Sequence, residues 1–143
     1  MTKPTPTSLG HSPGLYRHLF DVSPDLLLTI DHDGRIGVAN ARIEDLLGYQ
    51  ADSLDERAVS ELLDSASHSD FEVVLRGVRE GTDMPEVEVG VLSADGRHVT
   101  MMLEVRSIED VDDDFLVRLR DLREIRALEK EYRNLFESIA DAV

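Results

Sequence analysis

Four aspartates, Asp110, Asp112, Asp114 and Asp121, fall at positions 1, 3, 5 and 12 of a calcium-loop template, a spacing that lets carboxylate oxygens converge on one hard cation. Such a loop needs glycine at its sixth position to turn sharply, and Phe115 stands there. The segment is therefore read as a solvated turn between strands. An aspartate-based, metal-dependent enzyme is the weaker alternative, because it would need this segment to close on an ion. His11, His18, His32 and His98 show no metal-ligand spacing. The chain has no cysteine, hence no disulfide framework, no thiolate metal site and no cysteine nucleophile. A phosphate-cradling glycine loop, a His-Glu-x-x-His pair, a serine-centred elbow and a kinase phosphoacceptor histidine are all missing. Catalysis is not expected of this chain.

The charge balance narrows the partners. Thirty acidic residues face fifteen basic ones, for a net charge of -15 at pH 7, and only Lys3 and Lys130 are lysine. A field this negative repels nucleic acid and anionic lipid, so neither is an expected partner. Acidic, lysine-poor composition also suits a high-salt cytoplasm, where screening relieves like-charge repulsion, as in a halophile. No apolar run reaches the length a membrane span needs, and the opening residues 1–14, rich in Pro, Ser, Thr and Gly, read as a flexible leader rather than a secretory signal. A cytoplasmic location is the expectation.

The 143 residues suffice for one core. Leu15 to Phe20 reads as a short amphipathic helix, closed by Ser23 and Pro24 because the residue before proline is pushed out of helical space. Leu26 to Ile30 and Ile36 to Ala39 are apolar runs joined by Asp31-His-Asp-Gly34, a hairpin signal. The device recurs at Ser93-Ala-Asp-Gly-Arg97, between the alternating runs Val87, Val89, Val91 and Val99, Met101, Leu103, Val105. A fifth strand, Phe115 to Leu119, follows the acidic loop Glu109 to Asp114. Helices fall between. Ile43, Leu46 and Leu47 form a stripe ending at Gly48, and Phe71, Val74, Leu75 and Val78 match the helical template before Gly81. Strands at both ends with helices between indicate α+β, an antiparallel sheet with helices on one side.

From Arg120 the pattern changes. Ile125, Leu128, Tyr132, Leu135 and Ile139 recur at spacings of three and four, the seam of a coiled coil, and Asp121 breaks it one heptad before Leu128. A polar helix with one narrow apolar seam needs a partner, and a second copy of the chain is the simplest. Folding back on its own sheet is the alternative. The motif Tyr16-Arg-His-Leu-Phe-Asp21 is echoed by Tyr132-Arg-Asn-Leu-Phe-Glu137, which reads as the start of a second repeat in a tandem array.

Taken in order, these residues resemble the PAS family of sensor histidine kinases and related transducers. Asp33-Gly34-Arg35-Ile36 leading to Asn40 looks like its hairpin and asparagine corner, Leu46-Leu47-Gly48-Tyr49 like its L-G-Y turn, and Arg120-Asp121-Leu122-Arg123-Glu124 like its R-D-I-T-E exit. The resemblance implies a five-stranded sheet of order 2-1-5-4-3 with helices on one face, a sensory domain over 15–122, and a helical linker over 123–143. Two positions depart from the family pattern: Arg42 stands where a small residue is usual, and Arg123 replaces the exit threonine. Asp121 is expected to form an ion pair that fixes the angle of the emerging helix, with Arg123, Ile125, Leu128, Tyr132 and Leu135 completing the output.

The family's photochemical flavin adduct needs a cysteine, so that photocycle and a thioester-linked chromophore are excluded. Heme would need an axial histidine, and His68, in a Ser-Ala-Ser-His-Ser loop, reads as solvated instead. The residues name no other cofactor. The interior candidates are Leu28, Ile30, Leu75, Val78, Val89, Met101, Leu103 and Val117, core residues of which two or three could line a cavity for a small hydrophobic or aromatic ligand. The expected whole is a non-catalytic module of a multidomain protein, of histidine kinase type, that senses a ligand or relays a signal through a dimerising C-terminal helix. A purely structural dimerisation spacer with a filled core is the alternative.

Overall fold

The apolar runs become strands because alternate residues can enter a core while their neighbours carry charge or hydroxyls to the other face. The computed structural model describes residues 13–108 and 111–141. Strands β1 (Leu26–Ile30), β2 (Ile36–Ala39), β3 (Val87–Leu92), β4 (His98–Ile108) and β5 (Val111–Asp121) form one antiparallel sheet in the order β2-β1-β5-β4-β3. Helix α1 (Pro13–Val22) precedes the sheet. Helices α2 (Arg42–Leu47) and α3 (His68–Arg79), with three 3₁₀ turns at Ala51–Leu54, Val59–Leu62 and Ser65–Ser67, fill the stretch between β2 and β3, and α4 (Leu122–Asp141) follows β5. The expected α+β architecture and strand order are both present.

Register decides which face is buried. Leu28 lies opposite Val117 on β5, while β4 sets Val105 opposite Val117 and Leu103 opposite Leu119. The inward residues of β1, β3, β4 and β5 meet Ile43 and Leu47 of α2 and Phe71, Val74, Leu75 and Val78 of α3 in a single buried cluster. Each Leu, Ile or Phe so buried contributes about 1.5–3 kcal/mol. Gly48 ends α2 in the left-handed region at φ +80°, which an L side chain tolerates poorly, and its amide returns to the Glu44 carbonyl.

Two boundaries differ from the sequence expectation. The last strand begins at Val111 rather than Phe115, because β4 runs on to Ile108 and its ladder carries the acidic residues as strand despite their poor propensity. The leader expected over 1–14 gives way to helix at Pro13, and proline suits a first helical position where no amide partner is needed. Residues 1–12 lie outside the described residues.

Candidate functional site

Alternation along β5 turns Phe115, Val117, Leu119 and Asp121 to the covered face, so the strand delivers one carboxylate to the core's rim where α4 begins. Asp121 lies opposite Met101, and its side chain is 3% exposed. Its Oδ1 accepts from the Arg123 backbone amide at 2.8 Å and from Arg123 Nε at 3.2 Å, and its Oδ2 accepts from Arg123 Nη2 at 2.8 Å. This is a helix N-cap closed by an ion pair: the carboxylate satisfies an otherwise orphan amide and sits at the positive end of the helix. The Arg123 hydrogen bond, with the amides of Arg123 and Glu124, outweighs burial and holds the Asp121 carboxyl below its ordinary pKa. The ion pair expected of Asp121 is present, and Arg123, at the position that departs from the family's threonine, supplies its partner.

A second constellation stands beside it. Asn40 is fully buried. Its Nδ2 donates to the carbonyls of Phe20 (2.9 Å) and Asp25 (3.0 Å), its Oδ1 accepts from the Leu27 amide (3.0 Å), and its own amide reaches the Leu27 carbonyl (2.8 Å). The next residue, Ala41, donates its amide to Asp21 Oδ1. Arg42 then donates Nε to the Pro24 carbonyl at 3.0 Å and places Nη2 3.6 Å from Glu124 of α4. Sequence reasoning marked Arg42 as a departure without assigning it a partner, because nothing in the spacing of residues 42 and 124 brings them together. The L-G-Y turn is pinned by Tyr49, whose hydroxyl donates to the Leu92 carbonyl at 2.7 Å. Burial raises the Tyr49 pKa, only partly opposed by the charge of Arg57.

Helix α4 leaves the domain half-dressed. Leu122 is buried and Ile125 half-buried, and its packing on the sheet is with β4 and β5. From Leu128 onward the described side chains are exposed: Leu128, Tyr132, Leu135, Phe136 and Ile139 are each 56–74% accessible. Five large apolar side chains on one helix in water are a surface that awaits cover. A cleft of about 200 Å³ at its base runs between Pro24, Leu46, Leu119, Ile125 and Leu128.

The interior candidates Leu28, Ile30, Leu75, Val78, Val89, Met101, Leu103 and Val117 all belong to the buried cluster, packed on one another, and Val78 also reaches an open polar cleft beside Asp83 and Arg106. His68 opens α3 rather than sitting in a loop, and its Nε2 lies 2.8 Å from the Ser60 carbonyl and 3.2 Å from the Leu63 carbonyl. Two acceptors at one nitrogen favour the tautomer that carries the proton on Nε2. Of the calcium template, Asp110 lies outside the described residues. Asp114 and Asp121 sit seven residues apart on one extended strand, about 23 Å at strand rise, too far to share an ion. Among the described residues no cluster of three His, Asp or Glu could hold a metal.

The other face of the sheet carries a charge ladder. Arg118 reaches Glu104 (2.9 Å), Glu86 (3.3 Å) and Asp25 (3.6 Å), and Arg120 binds Glu86. Burial works against the Glu104 carboxylate, but the Arg106 hydrogen bond and the charges of Arg118, Arg106 and Arg120 win and lower its pKa. Among the described residues no helix is long and apolar enough to cross a membrane.

Comparison with known proteins fits this geometry. The family described as PAS fold matches residues 14–122. A search of curated proteins finds no match. Among solved structures, the chain is similar to the PAS domain of an HTR-like protein from Haloarcula marismortui, at 25% identity and TM-score 0.65, covering 76% of this chain and 95% of that one. A domain of a sensory box sensor histidine kinase/response regulator from Geobacter sulfurreducens is similar at 23% identity and TM-score 0.67, covering 80% and 97%. So is the PAS domain of the Cronobacter turicensis RpfR quorum-sensing receptor in complex with BDSF, at 17% identity and TM-score 0.59, covering 69% and 94%. With the strand order, the asparagine corner and the capped exit helix on the same chain, the protein belongs to the PAS family, whose domains serve as sensor modules of signalling proteins.

Proposed function

We propose that this chain is a non-catalytic relay module that passes a signal to a downstream output domain through α4, and that two copies pair along the α4 seam. The observation that carries this reading is the run of exposed apolar side chains from Leu128 to Ile139 on a helix anchored only at its base. A heptad seam of Ile125, Leu128, Tyr132, Leu135 and Ile139 fits a two-stranded pairing. The host is a multidomain protein of the sensor histidine kinase class, in which residues 15–122 sense and 123–143 lead into a second PAS-like repeat. Tyr16 to Asp21 and Tyr132 to Glu137 both lie in helices, in support of that repeat.

The input is a small hydrophobic or aromatic ligand taken up among the inward residues around Leu28, Leu75, Met101 and Val117. That a PAS domain of the same fold is in complex with BDSF supports a small-molecule input in this architecture. For such a ligand to act it must bind one arrangement of the exit helix better than the other, since equal affinity moves no equilibrium. A second reading, a dimerisation spacer whose core is filled, draws support from the mutual packing of all eight interior candidates. Native mass spectrometry of the purified chain separates them: a dimer carrying an added small-molecule mass supports the sensor, a bare dimer supports the spacer, and a bare monomer overturns pairing through α4.

A further inference from the structure

Three consecutive residues hold both the way into the domain and the way out. Asn40 and Ala41 grip the end of α1 and the approach to β1, through the Phe20 and Asp25 carbonyls and the Asp21 carboxylate. Arg42 grips the same approach at the Pro24 carbonyl and, with the other end of its guanidinium, the Glu124 carboxylate in the first turn of α4. Its guanidinium also lies 3.8 Å from Asp45 on its own helix. The Arg42 side chain is 26% exposed and that of Glu124 is 62% exposed, so the guanidinium is held by its surroundings while the carboxylate approaches it from the solvent side. A planar fork suits this use, because one donor can be spent on a carbonyl while another faces a carboxylate.

We infer that Arg42 is a positioning residue that couples the incoming helix α1 to the outgoing helix α4 directly, along the corner 40–42, without passing through the core. A displacement of α1 moves Phe20, Asp21 and Pro24, the corner follows, and the Arg42–Glu124 contact carries the movement to the base of α4. The Asp121 cap fixes where α4 starts, and Arg42 fixes the direction in which its first turn leans. A chain so built can pass a signal from a preceding element to a following one even with its interior filled. This inference rests on α4 as the output, but not on its dimerisation or on any ligand.

The test is amide hydrogen exchange on the full chain, comparing Arg42→Gln with the parent protein. The expected result is exchange about fivefold faster in the first turns of α4, residues 123–128, and at the end of α1, with β4 residues 101–105 unchanged. Exchange at 123–128 equal to the parent's overturns the inference. Should Arg42→Gln fail to fold, Glu124→Gln keeps the Pro24 bond and cuts only the contact to α4. It is expected to quicken exchange at 123–128 alone, and no change there counts equally against the coupling. The swap of Arg42→Glu with Glu124→Arg should restore part of the protection, because the charge pair returns while the Pro24 bond does not. Running the samples alongside a mass measurement keeps the two ideas apart: a monomer with coupled exchange retains the corner and refutes dimerisation, and a dimer with uncoupled exchange does the reverse.

Discussion

The carboxylate of Asp121 closes on Arg123, two residues ahead, through both its backbone amide and its guanidinium, so that the last residue of the sheet is also the cap of the exit helix. The contacts fix the residue at which the strand ends and the helix begins. The cap gives the module a defined joint rather than a loop.

Replacing Asp121 with Ala should cost about 1–2 kcal/mol, the usual worth of an N-cap, and fray the first turn of α4. Because its folded pKa is depressed, the carboxylate's contribution is complete above the ordinary aspartate range and is lost as pH falls through and below about 4. Urea midpoints of the parent and of Asp121→Asn should therefore differ at pH 7 and draw together progressively as pH falls below about 4. A gap that stays as wide in acid as at pH 7 would mean that the charge is not what stabilises the joint.

Asn40→Ala leaves the Leu27 amide and the carbonyls of Phe20 and Asp25 without their partner in a fully buried position. A loss of about 2–4 kcal/mol is expected in chemical denaturation, with α1 losing its hold on the domain. Asn40→Asp should be no rescue, since it turns a carboxylate toward two carbonyls.

Much of this architecture was legible in the sequence. The two Asp-Gly turns, the alternation around Met101 and Leu103 and the stripe at Phe71 and Val78 each report a local periodicity that burial then enforces. Where the reading fell short, the cause was distance along the chain. Arg42 meets Glu124, and Tyr49 meets Leu92, only because the sheet order brings β5 beside β1 and lays the L-G-Y turn against β3. The early start of β5 was hidden because aspartates disfavour strands, while the ladder with β4 is a tertiary fact. His68 looked like a loop residue because its two carbonyl partners come from a 3₁₀ turn and the extended residue after it, Ser60 and Leu63, which have no strong sequence signature.

Tyr49→Phe removes one hydroxyl donated to the Leu92 carbonyl and should cost about 1 kcal/mol. Its pKa is raised by burial, so the parent's stability should hold below the ordinary tyrosine range and decline as pH rises beyond about 10, where the unfolded chain ionises first. The Phe variant should lack that component of the decline in a titration of the thermal midpoint.

Salt should stabilise this protein. With a net charge of -15, screening relieves more repulsion than it removes attraction from the exposed ion pairs. Raising KCl from 0.1 to 1 M should lift Tm, with a gain of about 1 kcal/mol corresponding to roughly 3 °C at this size. A Tm that falls with KCl would show that the Arg118 and Arg120 ladder dominates instead.

The central claim, that α4 is the output through which two copies pair, is tested most directly by sedimentation equilibrium on the parent chain and on Leu128→Glu with Leu135→Glu. The parent should sediment at twice its 16.0 kDa mass and the variant at the monomer mass, with the sheet intact by circular dichroism in both. A parent that stays monomeric at high concentration, or a variant that stays dimeric, would contradict the claim and move the interface away from the seam.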